Sequence, residues 1–294
     1  MIPMYKTDDR IIREIEAYEP GAWINLTAPT LEECADISEQ FGMDIADVRA
    51  ALDDEESSRI SIEDTYTLVL VDIPSAEVRN NRHSYTTIPL GILMTEEVVI
   101  TVCAEETAVL RTFVEQRVRE FSTKKQMRFT YQILYNACMV YQSLLRSIDH
   151  KRTEIEERID QNTEDVDLID LHELESNLVY FATSLRANGV VLDRLSRYGN
   201  LRKYNEDLEL LEDVVIENKQ AIEMTQIYRD IIRYPGADVH GHQQPAEQRH
   251  EIPGGHYHRH VHPHDYLGTL GHECQREVDA AVQYAFWFRN PVHG

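Results

Sequence analysis

The sequence predicts an α+β protein, with helices around a mixed β-sheet in residues 1–122 and long antiparallel helices in residues 123–233. Three observations predict it. Strand-sized apolar runs alternate with capped helical segments through the first region. Apolar residues at heptad spacing dominate the second. The remaining stretch, 234–294, is rich in histidine, proline and glycine and carries neither pattern, so it is expected to be a disordered tail.

Trp23-Ile24-Asn25-Leu26 reads as a short strand and Thr27–Pro29 as a turn. Thr30 and Glu33 then have capping-box spacing, in which each side chain satisfies an orphan amide of a helix start. That helix is predicted over Leu31–Phe41, stopping at Gly42, with a second from about Asp44 to Leu52 that ends in the acidic run Asp53-Asp54-Glu55-Glu56. Arg59–Ile73 reads as one long strand, alternating at first and then apolar on both faces from Leu68 to Val71, as in the middle of a sheet. Polar Glu77–Ser84 reads as a loop. Thr86–Met94 and Val98–Cys103 read as strands joined by a hairpin-length connection, Thr95-Glu96-Glu97. A helix is predicted from Glu105 to about Phe121, with Glu105 and Glu106 at the positive end of its dipole.

Helical periodicity then takes over. Tyr131, Leu134, Cys138, Tyr141, Leu145 and Ile148 form one stripe of a helix running to about Gln161. Leu171, Leu174, Leu178, Phe181, Leu185, Asn188, Leu192 and Leu195 form a strict heptad seam, in which the polar Asn188 either sets register at some cost in stability or is merely tolerated. Tyr198-Gly199-Asn200 breaks the pattern. Asn205–Ile232 resumes it, with Leu208, Leu211, Val215, Asn218, Ile222 and Thr225 as the seam.

The chain has 29 Lys and Arg against 52 Asp and Glu; without the tail the counts are 25 and 45, so residues 1–233 carry a net charge of −20. Such a surface repels nucleic acid and anionic lipid and favours cationic partners, divalent metal among them. Cys34, Cys103, Cys138 and Cys274 show no CxxC spacing, which suits a reducing compartment, and the first three sit in apolar patterns expected to be core. No glycine-rich phosphate loop, nucleophile elbow or HExxH motif is present, so no catalytic residue is nominated. The start of the chain shows no apolar signal segment, and no apolar run is long enough for a membrane span.

The tail behaves differently when its codons are shifted one nucleotide downstream. Each histidine codon becomes Ile, Thr or Met, and His256–Cys274 can read Ile-Thr-Ile-Val-Met-Ser-Ile-Pro-Thr-Ile-Ile-Leu-Ala-Leu-Trp-Gly-Met-Asn-Val. From Ile252 to His272 no position is forced to be charged, a length of 21 residues that fits a bilayer-spanning helix. Upstream, His242–Glu251 can read Ile-Ser-Asn-Leu-Leu-Asn-Asn-Val-Met-Lys in the same shifted frame, and this Asn-rich turn, Val-Met-Lys, the apolar span and Gly-Met-Asn resemble the pore helix of the CorA family of magnesium transporters.

The body resembles the same family in its own frame. Trp23-Ile24-Asn25-Leu26, Leu52-Asp53-Asp54-Glu55-Glu56, Val71-Asp72-Ile73-Pro74, Ile88-Pro89-Leu90-Gly91-Ile92 and Tyr228-Arg229-Asp230-Ile231 occur in order. The resemblance implies an α/β/α sandwich, a stalk helix running into the pore and a homopentamer with two membrane helices per subunit. It also implies magnesium as both transported and regulatory ion, with divalent-cation sites between subunits on the cytoplasmic side of a cell membrane. No cofactor is implied. Asp53, Asp54, Glu55, Glu56, Asp213 and Glu217 are the nearby candidates for such sites, while Ala50 stands where a sensing aspartate is found in the family. Gly271-His272-Glu273 stands in place of Gly-Met-Asn, so the chain as written is expected to lack the membrane helices and to be soluble.

The alternatives are a soluble His-rich metal-binding protein and a coiled-coil interaction protein. The first would use His256, His258, His260, His262 and His264, whose alternating imidazoles suit a transition metal.

Overall fold

The structure is a computed structural model, and it describes residues 2–79, 82–161, 165–197 and 205–233. The break at Tyr198-Gly199-Asn200, the expected disordered tail, its five alternating histidines and the frame-shifted span all lie outside the described residues. The chain divides into two units, Met1–Arg229 and Asp230–Gly294. In the second, the described part is the last turn of a helix, Asp230–Arg233.

Among the described residues seven strands, β1 (Met4–Asp8), β2 (Ile11–Glu14), β3 (Trp23–Thr27), β4 (Arg59–Ile62), β5 (Thr67–Arg79), β6 (Arg82–Met94) and β7 (Val99–Cys103), form one mixed sheet in the order β2-β1-β3-β7-β6-β5-β4. β3 (Trp23–Thr27) and β7 (Val99–Cys103) pair in parallel, and the other neighbours are antiparallel. All five residues of β7 are buried, so this strand is covered on both faces. On one face Ile24, Leu26, Leu68, Leu70 and Ile100 meet α1 (Leu31–Phe41), α2 (Ile45–Arg49) and the 3-10 turn Ala50–Leu52. Gly91 lets that turn come close: a Cβ there would stand 3.2 Å from the Ala51 Cβ.

The opposite face is built around Trp23. Its ring centroid lies 6.2 Å from Phe113 on α3 (Ala108–Val114) and 5.2 Å from Phe129 on α4 (Gln126–Gln161), in edge-to-face contact. The indole N–H, buried with the ring, donates to Thr101 Oγ1 at 2.8 Å, and that hydroxyl donates to Asn25 Oδ1 at 2.9 Å.

α1 has the predicted bounds, with the Thr30–Glu33 capping box formed and Gly42 left-handed at φ 64°. Cys34, Cys103 and Cys138 are buried, as expected. Every polar or apolar member of the α5 (Asp165–Arg197) seam from Leu174 to Leu195 is buried.

Five expectations need correction. β1 (Met4–Asp8) and β2 (Ile11–Glu14) were not predicted. Their two-residue turn, Asp9-Arg10, has φ of 46° and 68°, a type I′ geometry normally announced by Asn-Gly, and charged residues hide it. Arg59–Ile73 is not one strand: β4 (Arg59–Ile62) turns back at Glu63–Tyr66 into β5 (Thr67–Arg79).

On both sides of residues 80–81 the predicted loop Glu77–Ser84 is strand instead: β5 runs to Arg79 and β6 (Arg82–Met94) starts at Arg82, the two paired out to Arg79↔Arg82. Ser84, at the end of that stretch, meets α5, where its hydroxyl donates to Asn177 Oδ1 at 3.5 Å. The helix predicted from Glu105 to Phe121 is confined to Ala108–Val114. Gln116 and Glu120 take φ of 58° and 53°, and the chain turns so that Phe121 joins the Trp23 cluster, 4.7 Å from Phe129.

The last correction concerns α6 (Asn205–Arg233). Its buried positions are Asp207, Leu211, Val214, Asn218, Ala221, Thr225 and Ile232, whereas Leu208, Val215 and Ile222 are half-buried. Both sets repeat at heptad spacing, so periodicity could not choose between them. The larger aliphatic residues were the natural reading. The face carrying Val214, Asn218 and Ala221 is the one turned to α4 and α5: the Cys138 thiol of α4 lies 3.9 Å from the Val214 carbonyl, and Asn218 Nδ2 donates to the Leu185 carbonyl of α5 at 3.1 Å.

Candidate divalent-cation sites

Asp53–Glu56 follows the 3-10 turn, and much of its chemistry is committed locally. Asp53 Oδ1 accepts from the Glu55 N–H at 3.0 Å, an Asx turn. Glu56 is held by Arg59 Nη1 at 2.5 Å, and the other arm of Arg59 reaches Asp47 Oδ1 at 3.1 Å. Asp47 also accepts from the Tyr66 hydroxyl at 2.7 Å, which raises the Tyr66 pKa to about 12 through burial first and this hydrogen bond second. Asp53, Asp54 and Glu55 are left exposed to solvent. Ala50 is 3% exposed and packed beneath the sheet, a position where a carboxylate would be stranded in apolar surroundings.

Asp213 and Glu217 stand one turn apart on α6. Gln142 Nε2 from α4 donates to Glu217 Oε2 at 2.6 Å and to its carbonyl at 3.2 Å, which fixes the side chain beside the helix. The Asp213 carboxyl is pushed above its usual range, first by desolvation and then by Glu217, Glu209 and Glu212. A divalent cation would relieve that repulsion directly. Among the described residues no group of three or more His, Cys, Asp or Glu is assembled to hold a metal, so the structure does not gather the two sets into one chelate. A site built from either set needs water and further ligands, as suits an ion that keeps several waters.

Two polar residues matter more than their sequence signal suggests. Past the end of β4, Asp72 on β5 has no strand on that side, since the β4 pairing ends at Arg59↔Leu70. Asn188 takes the missing strand's place: its Oδ1 accepts from the Asp72 N–H at 2.9 Å and its Nδ2 donates to the Asp72 carbonyl at 2.7 Å. The Tyr141 hydroxyl donates to the same carbonyl at 3.1 Å. Asn188 therefore ties a helix to a sheet edge. On the other side Asp72 faces Pro89, whose lack of an N–H costs nothing there. The Asp72 carboxyl is raised by burial, offset in part by hydrogen bonds from Ser184 and Ser58. An acid inside an otherwise apolar strand was the available signal.

No helix among the described residues is long and apolar enough to cross a membrane.

Comparison with known proteins agrees with this architecture. A family profile described as CorA-like Mg2+ transporter protein matches residues 19–234. The chain is 25% identical over 214 residues to the cobalt/magnesium transport protein CorA of Methanocaldococcus jannaschii, covering 71% of this chain and 66% of that protein. It thus spans just under two thirds of that relative's length. The structure of the soluble domain of CorA from the same organism superposes with a TM-score of 0.70 at 22% identity, covering 79% of this chain and 94% of that one. Full-length CmaX protein gives 0.64 at 11% identity over 79% and 74%. These structures share the fold of the described residues.

Proposed function

The chain belongs to the CorA-like Mg2+ transporter protein family, and from that membership we propose that it is the cytosolic part of a magnesium or related divalent-cation transporter. In this reading magnesium is both cargo and regulator, the working assembly is a homopentamer, and Asp53–Glu56, Asp213 and Glu217 contribute to regulatory sites completed by a neighbouring subunit. The observation that carries the regulatory part is the placement of Asp213 one turn from Glu217 on α6, its carboxyl raised first by desolvation and then by Glu217, Glu209 and Glu212. With a net of −20 in residues 1–233, repulsion within and between chains opposes assembly, and a bound divalent ion offsets it.

The domain division 1–122, 123–233 and 234–294 belongs to the same proposal, as does the phase of the tail. The apolar span and Gly-Met-Asn available one nucleotide downstream supply the pore helix of the parent gene. Sequencing the DNA across codons 230–245 and beyond codon 294 tests this; an in-phase frame ending at Gly294 in the native gene overturns it.

The cation reading is tested by thermal unfolding and apparent mass in about 1–10 mM magnesium chloride, against sodium chloride at matched ionic strength. Magnesium exceeds the salt control, and the excess falls in Asp213→Asn with Glu217→Gln or in Asp53→Asn with Asp54→Asn. Equal effects of magnesium and sodium chloride would show that the acidic surface is only solvated.

A further inference from the structure

Two buried carboxamides join the elements that carry the two acidic sets. Asn188 on α5 is 7% exposed, and besides its paired bonds to the Asp72 backbone it accepts from the Ser58 hydroxyl at 3.3 Å. Ser58 lies two residues beyond Glu56. Asn218 on α6 is 2% exposed and follows Glu217 directly; its Nδ2 donates to the Leu185 carbonyl at 3.1 Å, on α5 less than one turn before Asn188. Gly189 makes room for that approach, since a Cβ there would stand 3.3 Å from Asn218 Nδ2. The Asn218 Oδ1, also buried, accepts no hydrogen bond among the described residues, so the amide is anchored at one end only.

Buried amides of this kind do not yield gradually. Displacing either helix by an ångström or two breaks a bond in a place water does not readily reach, at the full desolvation cost of the groups left behind. The contacts are therefore made or lost together with the segments they hold.

We propose that Asn188 and Asn218 couple the segment carrying Asp53–Glu56 to α6 through α5, so that a shift of either acidic set is transmitted to the other. The coupling stands on these contacts alone. Its use in answering a cation rests on the function proposed above.

Hydrogen–deuterium exchange by mass spectrometry on the full chain, without metal, tests it. Ser58→Ala speeds exchange not only around Asp72 but also over residues 214–221 of α6, by about fivefold, the size usual for coupled neighbouring groups. Asn218→Ala, or the milder Gly189→Ala where the first does not fold, speeds exchange at residues 53–58 and at Asp72. The double variant Ser58→Ala with Asn218→Ala adds little to the larger single effect. Effects confined to each variant's own surroundings, with an additive double variant, overturn the coupling. So does an equal rise throughout the chain, matched by a destabilising control on α3 such as Val109→Ala. In a second arm, magnesium shifts exchange in both regions of the wild type and in only one of them in Asn188→Ala. Magnesium that leaves the wild type unchanged sinks the cation function, while the metal-free arm still decides the coupling.

Discussion

Replacing Val214 and Val215 in turn by aspartate decides which face of α6 is buried. Val214 is fully buried, with its carbonyl beside the Cys138 thiol at 3.9 Å, while Val215 is half-buried. Losing a buried valine side chain costs about 1.5–3 kcal/mol. The new carboxyl at 214 must also stay neutral or leave a charge unpaired; holding a group of ordinary pKa, about 3.9, protonated at pH 7 costs about 4 kcal/mol. Neighbouring Asp213 and Glu217 add repulsion and no relief. The expected loss for Val214→Asp is on the order of 6 kcal/mol, which for a body of this size lowers the melting temperature by about 10–20 °C. Val215→Asp costs about 1 kcal/mol, the range of a partly exposed position.

The two variants also differ in their response to pH. The carboxyl at 214 has its folded pKa raised above the unfolded value, so its destabilisation grows as pH rises from about 3.9 toward the raised value and is relieved as pH falls back to about 3.9. Circular dichroism melts at pH 7 and pH 4 read both effects. Equal losses at the two positions, or a larger one at Val215, would refute the burial assignment.

Two further outcomes follow from buried titratable groups. The folded pKa of Asp72 is raised above 3.8, so the stability it contributes is lost as pH rises through that raised value; Asp72→Asn removes this slope, and urea midpoints from pH 4 to pH 7 that keep it would contradict the assignment. Burial pushes the Cys103 thiol up to about 11 and Cys138 up to about 12, so in a Cys274→Ser background a thiol reagent at pH 8 leaves both untouched until denaturant is added. Rapid labelling of either in the native protein would show that its helix or strand opens readily.

The sequence by itself determined the elements whose signals are local. Thr30 and Glu33 cap α1 because each side chain reaches an amide three residues away, and Gly42 ends it because its φ is left-handed. The α5 seam was legible because its leucines and Phe181 recur at strict heptad spacing, although Val179, Tyr180 and Val190 stand exposed on the same helix. The ordered motifs from Trp23 to Tyr228 likewise pointed to the family that the profile match then established.

Tertiary structure decided what depends on partners distant in sequence. α6 offered two heptad faces of similar spacing, and only packing against α4 and α5 chose Val214 over Val215. The chain from Glu105 to Phe121 has helical composition, yet bringing Phe121 to the Trp23 cluster requires left-handed residues at Gln116 and Glu120. Asn188 reads as a polar defect in a seam because the bonds that explain it reach Asp72, 116 residues away. The acidic sets were visible as composition, but whether a carboxylate is spent on Arg59, held by Gln142 or left to repel its neighbours is set by what folding places beside it.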